Sequence, residues 1–312
     1  MRLRIVAVAV AALTVAAGPG AAVYSAVRKD SGPRKWSFAG QMPHRRSYTA
    51  SAQLDGKIYV ASGMVGNSGR PLDIAERYDP HTDSWKTLTP LPEAFSAAAG
   101  AAVGGRFYVV GGNSDEASGR QVFSYDPKSG HWRRETPLPA PRTNLAAIGF
   151  GGKLYALGGL DPVYPVNTVF VYDPATRKWS QAARLPMKLH ALAAVVFHGE
   201  IWALGGRVRA GNSIRNVWIY DARRNRWRAG PALPKPMETL GAVTTGDRID
   251  AVLESIYVIY DGRTHRWRSG PSLEVPRHAL GLFQVDGTLY AMGGCIVPQL
   301  EDSAVIEKIG LG

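Results

Sequence analysis

The chain has 312 residues, 45% of them apolar and 20% charged, which is enough to bury a large core. One cysteine, Cys295, rules out an intramolecular disulfide. The net charge of +12 favours anionic partners such as phosphate polymers, acidic glycans or lipid head groups.

The first element in the chain reads as a targeting segment. Arg2 and Arg4 precede an apolar run, "IVAVAVAALTVAA" (5–17), and small residues follow in "GPGAAVYSA" (18–26). Residues 1–27 are therefore expected to be a signal peptide, or an uncleaved anchor long enough to span a bilayer. In either case residues 28–312 are expected to be exported, as a secreted or membrane-anchored domain. That location argues against nucleic acid as the natural partner.

From residue 36 onward the chain repeats itself. Strand-like segments flanked by glycine recur as "GGRFYVVGG" (104–112), "GGKLYALGG" (151–159), "HGEIWALGG" (198–206) and "DGTLYAMGG" (286–294), with a degenerate "DGKIYVASG" at 55–63. A Tyr-Asp pair follows the segments at 55–63, 104–112, 151–159 and 198–206, and a fifth stands at 260–261, with a Trp seven residues after each Tyr: Tyr78 and Trp85, Tyr125 and Trp132, Tyr172 and Trp179, Tyr220 and Trp227, Tyr260 and Trp267. Leu-Pro follows each of the first four of these Trp at +6 and +7. The glycine pairs combined with the Tyr and Trp spacing resemble the kelch repeat, over residues 36 to about 309. A kelch repeat implies one four-stranded blade of a β-propeller, an all-β fold in the galactose oxidase/kelch superfamily.

The strands of the third unit read as "LAAIGF" (145–150), "KLYAL" (153–157), "TVFVYD" (168–173) and "KWSQA" (178–182). Second strands start near 57, 106, 153, 200, 248 and 288, which predicts six blades. The last unit ends in "AVIEKIG" (304–310) without a fourth strand. "RKWSFAGQMP" supplies Trp36 with Met42-Pro43 at +6 and +7, so the N-terminal strand is expected to complete the last blade and pair its open edge. Blade five has Leu253-Glu254 in place of Gly-Gly and almost no connection to its third strand. A notch is expected there beside Glu254, overhung by "GRVRAGNSIRN" (206–216).

The turns between third and fourth strands are basic, as in "DARRNRWR" (221–228) and "DGRTHRWR" (261–268). They form either a solvated rim or a surface for an anionic membrane or cell wall. The opposite face carries the long, varied loops, the usual place for recognition on a rigid scaffold. No metal-ligand spacing, calcium loop, nucleophile elbow or phosphate loop is present, so no metal or cofactor is expected. Cys295 lacks the partners that the copper chemistry of galactose oxidase needs.

Ligand-site candidates come from counting ten residues back from each a–b turn. The positions reached are Arg46, Phe95, Arg142, Leu189, Met237 and Arg277, followed by Ser47, Ser96, Thr143, His190, Glu238 and His278. Converging on the axis, Arg46, Arg142, His190, Glu238, Arg277 and His278 would form a pocket for an acidic small molecule. Arg would grip a carboxylate and Glu238 or a His would move a proton. Alternatively the arginines tie neighbouring blades together. Two functions follow from the resemblance. One is a non-enzymatic module binding an extracytoplasmic protein or acidic carbohydrate. The other is a metal-free carbohydrate-active enzyme, similar to the exported bacterial kelch protein that interconverts anomers of N-acetylneuraminate. No BTB or F-box segment precedes the repeats, so a ubiquitin-ligase adaptor is not expected.

Overall fold

A computed structural model describes residues 34–66, 69–114 and 119–311. The expected signal or anchor, residues 1–27, lies outside them, as do the first residues of the expected 28–312 domain. The described residues are all-β, and no helix among them is long and apolar enough to cross a membrane.

They build six four-stranded antiparallel sheets. Sheet three shows the pattern: strand a is Ala146–Phe150, b is Lys153–Leu157, c is Val169–Asp173 and d is Lys178–Ala182, paired in that order. These bounds match the sequence expectation to within one residue. Strand b is buried at four of its five positions, because both faces of a central strand pack on neighbouring sheets. Strand d is largely exposed, as befits an outer edge.

The Tyr–Trp spacing now has a cause. Across the c–d hairpin Tyr172 stands directly opposite Trp179, with ring centroids 5.0 Å apart. The same pair recurs at 5.0–5.2 Å in the other four units, each worth about 0.5–1.5 kcal/mol beyond the area it buries. The Asp after each Tyr accepts a turn N–H two residues on, as in Asp173 from Ala175 at 2.9 Å. That bond holds the Asp173 carboxyl below the usual carboxylate range. The indole N–H of four of these Trp reaches a carbonyl just past the d strand of the preceding sheet: Trp132 to Thr89, Trp179 to Thr136, Trp227 to Ala183 and Trp267 to Pro231.

Sheet six is assembled from both ends of the described chain. Ser37–Gln41 pairs antiparallel with Val305–Gly310, from Ser37 opposite Lys308 to Gln41 opposite Val305. Trp36 is 2% exposed and donates to the carbonyl of Pro271 at 3.0 Å, as those four Trp do to their neighbours.

The glycine pairs end strand b for two physical reasons. Gly158 and Gly159 have φ of +59° and +94°, in the region side chains disfavour. A Cβ on Gly158 would lie 2.5 Å from the Leu189 carbonyl oxygen, and one on Gly159 would lie 2.8 Å from that of Thr143.

Sheet five departs as expected. Its strands b and c, Arg248–Leu253 and Ile256–Asp261, are joined by Glu254 and Ser255 alone. Glu254 sits where the other sheets place their second glycine. Its N–H donates to the Arg277 carbonyl at 2.7 Å, as that of Gly159 does to Leu189 at 2.8 Å. Its φ is +55°.

Candidate ligand cavity

The segments entering the a strands build the site. Three successive positions have three different fates. The first position, reached by the ten-residue count, is buried in every sheet. Phe95, Leu189 and Met237 are 0% exposed. Arg46 and Arg277 are also 0% exposed and Arg142 is 2% exposed. These guanidinium groups do not line the cavity. Arg46 bonds Glu76 and the Ile74 carbonyl, and Arg277 pairs with Glu307 at 3.0 Å. Arg142 pairs with Asp161 at 2.9 Å and lies over the Phe170 ring. Each arginine ties the strand-a entry to strand c, or to the b–c loop, of its own sheet. They are not ties between neighbouring sheets, and the acidic-ligand pocket is without its three arginines. The physical reason is alternation: adjacent residues in extended chain face opposite ways.

The second position faces the cavity where its side chain is large. His190, Glu238 and His278 line one cavity of about 690 Å³, within the size range of small-molecule sites. The third position is left-handed in every sheet: Tyr48, Ala97, Asn144, Ala191, Thr239 and Ala279 have φ between 48° and 54°. Their backbones bond one sheet to the next, Ala97 to Tyr48, Asn144 to Ala97, Ala191 to Asn144, Thr239 to Ala191 and Ala279 to Thr239, at 2.7–3.1 Å. These residues form a neck, because all six also line a second, smaller cavity beneath the first.

One wall of the larger cavity is polar. Arg207, from the b–c loop of sheet four, gives its Nε–H to the Gly211 carbonyl at 2.9 Å and lies 3.3 Å from Glu238 Oε2. Arg207 and Ser213 of that loop share the cavity with Glu254 and Ile256 of sheet five, so the loop borders the notch. The carboxylate of Glu254 has no ion pair within the described residues. His278 meets the Tyr48 ring edge-on, with centroids 6.0 Å apart. Burial lowers the pKa of His190, and Arg207 adds to that effect. Burial also lowers that of His278, against the pull of Glu254 and Glu238. Both imidazoles are therefore neutral at pH 7. Burial raises that of the Tyr48 phenol, with a further push from Cys295 and Glu238. His190 Nδ1 is buried without a hydrogen-bond partner among the described residues. Among those residues no group of three or more His, Cys, Asp or Glu is placed to hold a metal.

His190, Glu238 and His278 follow from the ten-residue spacing in the sequence; Tyr48, Arg207 and Ser213 do not. The left-handed third position had no single-residue signal, since only one of its six members, Asn144, is of a type that favours that backbone.

These features define an all-β repeat protein with a ligand-sized cavity among its inner loops. The family model of the KLHDC2/KLHL20/DRC7 Kelch-repeats domain matches residues 50–252. The chain belongs to the kelch-repeat family. It is similar to Kelch-like protein 35 of Mus musculus, 38% identical over 77 residues, which is 25% of this chain and 13% of that protein. It is similar to F-box protein AFR of Arabidopsis thaliana, 32% identical over 92 residues, covering 30% and 23%. The Influenza virus NS1A-binding protein homolog of Mus musculus is 37% identical over 73 residues, covering 23% and 11%. The matched segments thus span less than a quarter of these relatives' own lengths. The solved "Structure of YjhT" shares the fold, with a TM-score of 0.74 at 15% identity over 85% of this chain and 95% of that one.

Proposed function

We propose that this protein is an exported, six-bladed kelch propeller that acts as a binding module, its cavity receiving a group from an extracytoplasmic protein. The observation that carries the reading is the 690 Å³ cavity, to which all six sheets or their loops contribute. Relatives named for binding, such as the NS1A-binding homolog, support a protein partner. Closure by the N-terminal strand is supported by the pairing of Ser37–Gln41 with Val305–Gly310. Trp36→Ala is expected to cost about 3–5 kcal/mol in a urea titration. Unchanged stability would refute a closing role.

The test of the site is a thermal-shift screen of peptides and glycans against the parent and Ser213→Trp, which fills the mouth. A ligand at 100 times its Kd adds about 2.7 kcal/mol to the parent. An equal shift in Ser213→Trp would place binding elsewhere. Export is checked by fusing residues 1–27 to a reporter active only outside the cytoplasm. The exposed Arg226, Arg228, Arg266 and Arg268 on the outer strands of sheets four and five support a secondary attraction to anionic surfaces. Binding to anionic vesicles that does not weaken with salt would refute it.

A second reading, a metal-free carbohydrate-active enzyme, is favoured by one observation. Two imidazoles and two carboxyl groups share the cavity, the group types that general acid–base catalysis uses. Anomeric exchange followed by NMR on neutral and charged sugars tests it. Activity that survives Glu238→Gln unchanged would remove Glu238 from that role.

A further inference from the structure

The charge inside the cavity differs in sign from the charge of the whole chain. The lining holds three fixed charges: Arg207, Glu238 and Glu254. Arg207 gives its Nε–H to the Gly211 carbonyl at 2.9 Å and offsets the charge of Glu238 at 3.3 Å, whose Oε2 accepts no hydrogen bond among the described residues. The imidazoles of His190 and His278 carry no charge at pH 7. What remains is the carboxylate of Glu254, exposed at the cavity rim with no cation beside it.

The arginines that would reverse this inventory are out of reach. Arg46, Arg142 and Arg277 are buried in ion pairs of their own sheets. The exposed arginines of the outer strands, Arg226, Arg228, Arg266 and Arg268, are not among the residues that line the cavity. At physiological salt the Debye length is about 8 Å, so exposed charges farther away than that contribute little at the mouth. Local charge therefore governs what enters, although the chain carries +12 overall.

We infer that the cavity selects a cationic group, an alkylammonium or a guanidinium, which pairs with Glu254 while its stem packs on Ile256 and Met64. This rests on the cavity being the binding site. It reverses the acidic ligand that the sequence suggested. The cation could come from a lysine or arginine side chain of a partner protein, or from a free amine such as an aminosugar. A charge-assisted hydrogen bond to that carboxylate is expected to raise affinity about tenfold.

The experiment is calorimetry on the full chain with matched probes: glucosamine, N-acetylglucosamine and glucuronate as one set, Nα-acetyl-lysine amide and its Nε-acetylated form as the other. A cationic member is expected to bind about tenfold tighter than its neutral counterpart. The set in which it does so identifies the source. Glu254→Gln should erase that preference, and Glu254→Asp should keep most of it, with both variants melting as the parent does. Tighter binding of glucuronate, a preference indifferent to Glu254→Gln, or no binding of any cationic probe at tens of millimolar overturns the inference. Ser213→Trp separates the two claims. If it blocks glucuronate, the cavity stands as the site and only the charge assignment fails. If cation binding survives both Ser213→Trp and Glu254→Gln, the cavity itself is not the site.

Discussion

Sheets three and five follow one plan and differ at three places. Sheet three leaves strand b through Gly158 and Gly159, while sheet five continues through Leu253 and turns at Glu254. Sheet three buries Arg142 at its strand-a entry, and sheet five buries Met237. Sheet three presents Thr143 at the next position, and sheet five presents Glu238 to the cavity. The glycine requirement therefore belongs to the exit path of strand b. Where the strand runs on, Leu253 pairs with Ile256 in ordinary extended backbone and its side chain joins the core. Glu254 at the shortened connection and Glu238 at the strand-a entry give sheet five two carboxylates at the cavity, where sheet three contributes none.

The sharpest way to break this comparison is to exchange the exits. Gly158→Leu drives a side chain into the Leu189 carbonyl at a left-handed φ. It is expected to cost more than about 4 kcal/mol and to leave little folded protein by circular dichroism. The reverse change, Leu253→Gly, costs about 2–5 kcal/mol through lost packing alone.

Next comes the buried entry position. Arg142→Ala strands Asp161, which is part-exposed at 32%, so the loss is expected near about 3 kcal/mol in urea denaturation. The double change Arg142→Met with Asp161→Leu replaces both partners, as in the apolar entry of sheet five, and should cost about 1 kcal/mol or less. Neither should change ligand affinity. A weakened ligand with an intact fold would return Arg142 to the site.

Acid should then affect the polar wall before the rest. His190 and His278 have folded pKa values below the unfolded value of about 6.5. The unfolded state takes up protons first as pH falls, so the stability they confer is complete above that value and is lost below it. The urea midpoint is expected to fall as pH drops below about 6.5, and less steeply in His278→Gln. An identical slope in that variant would show that His278 is not held neutral.

The smallest effect is at the turn. Glu254→Gly relieves a left-handed side-chain residue and should stabilise the protein by about 1 kcal/mol while losing the preference for cations. Stability gained without that loss would confine Glu254 to a structural role.

The strands were legible because sheets two, three and four state their register twice, in the glycine pair beside strand b and in the Tyr opposite Trp, and the other sheets keep at least one of these signals. The N-terminal strand was legible because Trp36 and Met42-Pro43 keep the same spacing. The site was legible only in part. His190, Glu238 and His278 were found by counting, but the count could not show that the residue before each points inward to the core. Arg46, Arg142 and Arg277 resembled ligands because an arginine read alone discloses its charge and not its burial. Arg207 enters through a loop whose path depends on Gly211, which no spacing rule exposes.

The neck of left-handed residues has one more effect. From Tyr48 to Ala279, consecutive N–H and carbonyl groups are consumed by the neighbouring sheet and run around the opening, not along it. Few peptide donors are left to greet a visitor, and their dipoles do not add up along the entry direction. Recognition at this opening is thus written in side chains, carried by a frame that holds its shape whichever ones are installed. The same scaffold can be given a new preference by exchanging His190, Glu238 or Glu254, with the backbone beneath them left untouched.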